Sequence, residues 1–563
     1  MKLSYDKHAA DPIYYIQKGY RIGKKTTTKT IARIGKHSEL LQVTDDPLAY
    51  ALEQLEQMKK EEERSSLPGQ NEPDFTLRVP LSHTCDSHFT PINIGYFYLQ
   101  SIYRLFDLDT FFRRITADTE TDFDCPEINR FNVFDRILFA GPSPHRYFEQ
   151  PEISCSQRLL FQDFLAEHAD AYLDHLQKKS RKFAPSGVAC HFDSSFFRQE
   201  AECDETSDSC VYMYSPPFPE MNLYTDADGL PVSLDFGTDN LDKPPVRQPG
   251  KEVVHCSVSE NSSFSFPTER SSIMRLSIPS LSNDLKERLF ADTGYRLLSD
   301  NRVVSIRQVR TPREVCLNED TAYKVLSADA WVPVPGQTEK DGNFPASCLL
   351  VTFSGKLLQS RRERRNRYIT CARECLERAD PEEIQNSPEK IARYIRRRSN
   401  ARPGTTASYD LDAGRIREEE RADGFTVYLT NLPIRTNEED PVVSEVLRII
   451  RMMELGNQAK DFFRMPHTAL SSSERSVRTH CLTGYTALLI TRLLQKKLNN
   501  CDLTLSEILT TLRNMNIVSC GTFYTSLYDR GDVLSALEAL TDLQLDRMYY
   551  RHKTLSQVLR RIR

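Results

Sequence analysis

Two short runs near the start of the chain, PIYYIQKGYRI and TKTIARIG, are rich in β-branched and aromatic residues. A Gly-Lys-Lys turn lies between them, so residues 12–35 read as a small β-unit. DDPLAYALEQLEQMKKEEER predicts a helix over 46–65, and the polar SSLPGQNEPD at 65–74 reads as a linker. Residues 93–180 carry apolar side chains at helical spacing, as in IGYFYLQSIYRLFDLDTFFRRI. From 185 the pattern changes to short apolar runs broken by turn residues: PSGVACHFDSSFF, CVYMYS, MNLYTDADGLPVSLDFG and RLFADTGY. A polar loop and a helix follow over 239–285, strands over 302–355 and a basic helical stretch over 356–400. DGFTVYLTNLP at 423–433 is a further strand; residues 441–464 and 475–498 predict two helices, and the remainder reads as helical.

Length and composition narrow this picture. At 563 residues the chain exceeds one compact core, and three or four domains are expected. No segment approaches eighteen consecutive apolar residues and the first twenty lack an apolar core, so neither a membrane helix nor a secretory signal is indicated. The fourteen cysteines include no C-x-x-C, which points to reduced thiols in a cytoplasmic protein rather than a zinc site. Net charge is −5, yet basic residues cluster. Lys2, Lys7, Lys18, Arg21, Lys24, Lys25, Lys29, Arg33 and Lys36 face only Asp6 and Asp11 in the first 36 residues. Further blocks hold Lys356, Arg361, Arg362, Arg364, Arg365 and Arg367, then Arg393, Arg396, Arg397, Arg398 and Arg402. Such blocks are either solvated helix faces or surfaces for a phosphate backbone.

Two aspartates stand at predicted strand ends. Asp193 follows VACHF and Asp292 follows RLF. A carboxylate at the end of a buried strand needs a metal, a cation or water, or else it caps a turn. Oxygen ligands suit Mg²⁺, and a two-metal site activates an attacking oxygen while stabilising the leaving one. A third carboxylate completes such a site. Glu454, in VVSEVLRIIRMMELGNQAKDFF, lies beside the apolar stripe of Leu447, Ile450 and Met453; Glu445 is the fallback on the same helix.

In order and spacing these motifs resemble the DDE transposases of bacterial insertion sequences, in the superfamily whose type member is called IS-four, and its long-chain branch. The resemblance covers about residues 12–500. It rests on FDSSFF around Asp193, Tyr214–Ser215, and MNLYTDADGLPVSLDFGTDNLD with Asp226, Gly229, Leu230, Pro231, Gly237 and Asp242. It continues through FADTGYRLLSDN around Asp292, VTFSGKLLQSRRERRNR, DGFTVYLTN and SVRTHCLTGYTALLITRLL with His480. Near Glu454 the chain departs from the pattern: Leu447 replaces a Tyr, Arg448 and Arg451 flank the basic position, and Lys460 comes one residue early.

The resemblance implies an α/β fold, with an RNase H-like catalytic core, a β-rich insertion, a small N-terminal β-unit and flanking helical regions. It implies an N-terminal DNA-binding part at 1–70, a helical terminal-repeat-binding region at 75–184, and core segments at 185–310 and 441–500 around an insertion at 311–440, with a helical 501–563 beyond. Asp193, Asp292 and Glu454 would hold two Mg²⁺ or Mn²⁺ ions. Arg448, Arg451, Lys460, Lys24, Lys25, Arg361 and Arg362 would contact DNA. The implied activity is cleavage at element ends and strand transfer into target DNA by a homodimer on double-stranded DNA, away from membranes, in the bacterial cytoplasm at the nucleoid. Two alternatives stay open: an inactive or domesticated transposase-derived DNA-binding protein, and an RNase H-like nuclease without strand transfer.

Overall fold

The computed structural model describes residues 2–65 (except 8, 10, 23, 24, 43 and 45), 90–117, 123–139, 146–184, 187–197, 221–236, 252–259, 270–306, 321–327, 348–378, 387, 389–397, 409–432, 434, 439–463, 474–498, 503–520 and 523–563. The chain divides into two compact units, Met1–Ser87 and His88–Arg563.

The first unit is an antiparallel sheet of β1 (Lys2–Ser4), β2 (Ile13–Ile22) and β3 (Lys25–Lys36), with the helix Pro47–Ser65. Thr and Ile on β3 and Tyr and Ile on β2 suit a pleated surface. Two register shifts interrupt the β2–β3 ladder, after Tyr14 and after Ile16. Tyr14, Leu40 and Ala51 form the small core. Asp46 Oδ1 accepts from the backbone N–H of Leu48 and Ala49, at 3.0 and 3.1 Å, which starts the helix by satisfying two orphan donors.

The second unit is mixed α/β. Two short strands open it, β4 (Ile92–Asn93) and β5 (Arg146–Tyr147). Next come β6 (Cys190–Phe192), β7 (Met221–Thr225), β8 (Pro231–Phe236), β9 (Val254–Val258), β10 (Ser272–Leu276), β11 (Tyr295–Leu297), β12 (Val303–Val304), β13 (Thr321–Ser327) and β14 (Cys348–Ser354). The last are β15 (Ile395–Arg397), β16 (Tyr409–Leu411), β17 (Phe425–Thr430), β18 (Asn516–Cys520), β19 (Phe523–Ser526) and β20 (Tyr549–Arg551). Ten of them form one sheet in the order β12-β11-β13-β14-β17-β10-β9-β6-β7-β8. On one side of the sheet β6, β7 and β8 run antiparallel, while β9 is parallel to β6 and β10 parallel to β9. From β17 outward every pairing is antiparallel. Of the strands in the region expected to be an insertion at 311–440, β13, β14 and β17 thus extend this same sheet, while β15 and β16 pair as a separate hairpin.

The 474–497 helix is buried on all sides over 481–494, with Cys481, Leu482, Tyr485 and Ala487–Ile490 inaccessible, so its middle lies in the main core. The 501–563 region departs from the all-helical expectation: β18, β19 and β20 build a five-stranded sheet with β4 and β5. Among the described residues no helix is long and apolar enough to cross a membrane.

Candidate functional site

Asp193 stands where the sequence puts it, directly after β6. Its Oδ1 accepts from the Ser195 backbone N–H at 3.0 Å and from the Ser195 hydroxyl, so it starts the short helix Ser194–Phe197. The Val258 N–H in turn donates to Ser195 Oγ at 2.8 Å, tying the strand end to β9. The Asp193 Oδ2 lies 3.3 Å from His255 Nε2 on β9. His255 Nδ1 is 2.9 Å from His191 Nδ1, and His191 Nε2 is 2.9 Å from Asn222 Oδ1 on β7. The chain Asn222–His191–His255–Asp193 therefore crosses three adjacent strands on one face.

The alternation of β6 and the pairing of His191 with His255 produce this face. Burial pushes His191 down to about 4, and the neighbouring His255 adds to it, so His191 stays neutral near physiological pH. A neutral His191 that donates to Asn222 from Nε2 leaves its Nδ1 to accept from His255. Burial raises the Asp193 value, but the hydrogen bonds and charge of His255 and the hydrogen bond of Ser195 outweigh it and leave the carboxyl below the usual range.

Asp292 is not in this neighbourhood. RLF is not a strand but the last turn of the helix Asn283–Phe290, which Ser282 caps and Leu285 and Leu289 anchor. Asp292 follows that helix and precedes β11, and its carbonyl accepts from Ile306 N–H at 3.3 Å. β11 lies six strand steps from β6, and at ~4.8 Å per step the separation is on the order of 25–30 Å. The strand next to β6 on the parallel side is β9, which is followed by Ser259; Glu260 lies outside the described residues.

Glu454 also lies elsewhere. The Glu439–Asp461 helix packs Gly456 against Phe192 and Phe196, so closely that a Cβ there would meet their rings at 2.6 Å. Phe192 leaves the face of β6 opposite to His191 and Asp193. Glu454 is exposed and accepts from Gln458 Nε2 at 3.2 Å, near the β7–β8 turn at the opposite end of β6 from Asp193. Glu445, the fallback, pairs with Arg448 at 3.4 Å. The three carboxylates do not converge, and among the described residues no group of three His, Cys, Asp or Glu could hold a metal ion. The donor set for two Mg²⁺ ions does not fit.

The basic candidates divide. Arg361 donates to the carbonyls of Ala422 and Phe425, at 3.3 and 3.0 Å, and so serves the fold. Arg451 pairs with Asp228 at 3.3 Å, and Lys460 is half-buried. Arg362 is exposed. Lys25 opens β3, and Lys24 lies outside the described residues.

The DADGLP motif has a structural account. Asp226 Oδ1 accepts from the Asp228 and Leu230 N–H groups, at 3.0 and 2.8 Å, and Gly229 adopts φ +81°. A side chain at Gly229 would meet Leu455 at 2.8 Å. Sequence reasoning missed His191 and His255, since a lone histidine on a buried strand carries no spacing signal. Neither a scan against protein-family models nor a search among curated proteins finds a match for this chain.

Proposed function

We propose that this chain is a transposase-derived DNA-binding protein, with an RNase H-like core that engages duplex DNA without the carboxylate set that cutting requires. The observation that carries the reading is the sheet order around β6: an antiparallel hairpin pair on one side, parallel β9 and β10 on the other, and Asp193 at the end of the central strand. That arrangement supports an RNase H-like core. The non-cleaving half of the reading rests on Asp193, whose carboxylate is engaged by His255 and Ser195, and on Asp292 lying six strands away.

Exposed cations support binding to a phosphate backbone. The Gly355–Arg378 helix shares a small core, Tyr368, Ile369, Ala372 and Tyr394, with the β15–β16 hairpin region. Arg362, Arg367, Arg373, Arg396 and Arg397 are exposed on these elements, and Lys29 and Arg33 are exposed on β3 of the first unit. Phosphate contacts of this kind give affinity without sequence readout.

The enzyme remains the second reading, favoured by the place of Asp193. The deciding experiment titrates the full chain onto labelled duplex DNA and incubates the same mixture with Mg²⁺ or Mn²⁺. Binding without nicking, unchanged in Asp193→Asn, is the expected result. Metal-dependent nicking that Asp193→Asn abolishes would replace the proposal by the catalytic one.

A further inference from the structure

Asp228 and Leu230 of the β7–β8 turn, Glu454 and Gln458 of the 439–461 helix, and Arg492 and Lys496 of the 474–497 helix line a recess of about 210 Å³. That is several times the ~30 Å³ that one water occupies in the liquid. Arg492 is 4% exposed. Its Nη1 donates to Gln495 Oε1 and its Nη2 to Gln458 Oε1, both at 2.8 Å, and its Nε–H meets no acceptor among the described residues. No carboxylate among the described residues lies within ion-pair distance of it.

The carboxylates nearby are committed to other groups. Asp226 and Asp228 pair with Lys496 at 3.2 and 3.4 Å, and Asp228 also pairs with Arg451 at 3.3 Å. Glu454 holds the Gln458 amide. Burial presses the Arg492 guanidinium down to about 10, and only the more distant charges of Glu454 and Asp226 act against that. A buried cation held by two neutral amides, with its Nε–H unpartnered, is costly unless a counter-charge arrives. The recess and its rim balance three cations, Arg451, Arg492 and Lys496, against Asp226, Asp228 and Glu454, but the ion pairs go to Arg451 and Lys496 and not to Arg492.

We infer that this recess is an oxyanion site, in which Arg492 grips a phosphate group. Guanidinium matches phosphate oxygens in a planar, two-pronged geometry, and each Nη of Arg492 carries a second N–H besides the one given to Gln495 or Gln458. The site is independent of the DNA-binding reading and of the Asp193 cluster. The phosphate comes either from free solution or from a DNA end.

The test is thermal unfolding and calorimetric titration of the full chain with inorganic phosphate, against chloride at equal ionic strength. Wild type gains a phosphate-dependent rise in Tm and a saturable binding heat. Arg492→Gln weakens binding at least tenfold. Gln495→Glu places a carboxylate beside the guanidinium; it closes the site from within and abolishes the phosphate effect while keeping the fold, which covers the case in which Arg492→Gln does not fold. A 5′-phosphorylated duplex that competes with phosphate, where the unphosphorylated duplex does not, identifies a DNA end as the source; no competition identifies the free anion. No phosphate effect in wild type, or an effect that Gln495→Glu leaves intact, overturns the inference.

Discussion

His191 shows how one position acquires its properties from neighbours far away in the chain. It stacks on Tyr224 at 4.6 Å, and its two ring nitrogens meet Asn222 and His255. Burial holds its folded value at about 4, below the ~6.5 of a free imidazole. The unfolded chain therefore binds more protons between those values. The stability that neutral His191 contributes is complete above about pH 6.5 and is lost as pH falls towards 4. Denaturant unfolding of wild type and His191→Gln across that window is expected to show a stability difference that shrinks with falling pH. A difference that stays flat would mean that the relay does not keep His191 neutral. No local pattern signals this, because the relay requires β6, β7 and β9 to be neighbours, and residue 191 is separated from 255 by a long stretch of chain.

At the scale of elements, the basic stretch expected to be helical over 356–400 is helical over Gly355–Arg378 and Glu389–Ala392 and then turns to the strand β15, and the charges of its long helix have two different destinies. Arg365 is 5% exposed and sits 2.7 Å from Asp423, itself 3% exposed. It fixes the helix against the residues that lead into β17, and Arg361 does the same through two carbonyls. Removing one partner of a buried pair leaves the other charge uncompensated, at a cost of roughly 3–5 kcal/mol. Arg365→Met is expected to lose stability on that scale in urea titration, and adding Asp423→Asn should recover much of it. An undisturbed Arg365→Met would remove the pair from the account of this junction. Composition sees a run of arginines, whereas the partition into ties and exposed cations follows from which face of the helix meets the sheet. Likewise the turn at 226–230 was legible as a motif, but its tight approach to Leu455 was not.

On the scale of the whole molecule, the proposed DNA contacts depend on summed charge rather than on any one residue. Each phosphate contact adds about one unit to the slope of log affinity against log salt. Arg362→Glu with Arg367→Glu is expected to weaken duplex binding and flatten that slope by about two. Equal slopes in the variant and wild type would assign DNA binding to other surfaces, the first unit among them.

The chain by itself determined many of the elements: the N-terminal hairpin, the helices over 93–180, the strand ending at Asp193 and the hairpin around DADGLP. These are set by local periodicity, turn residues and caps, which act within a few positions of one another. What only the tertiary structure decided was company. Asp193, Asp292 and Glu454 resemble a triad in linear order, yet strand order sets Asp193 apart from Asp292, and side-chain alternation with helix placement takes Glu454 to another site. Long-range pairing is not encoded in spacing. It follows from which strands bury their faces together, and that is a property of the whole core.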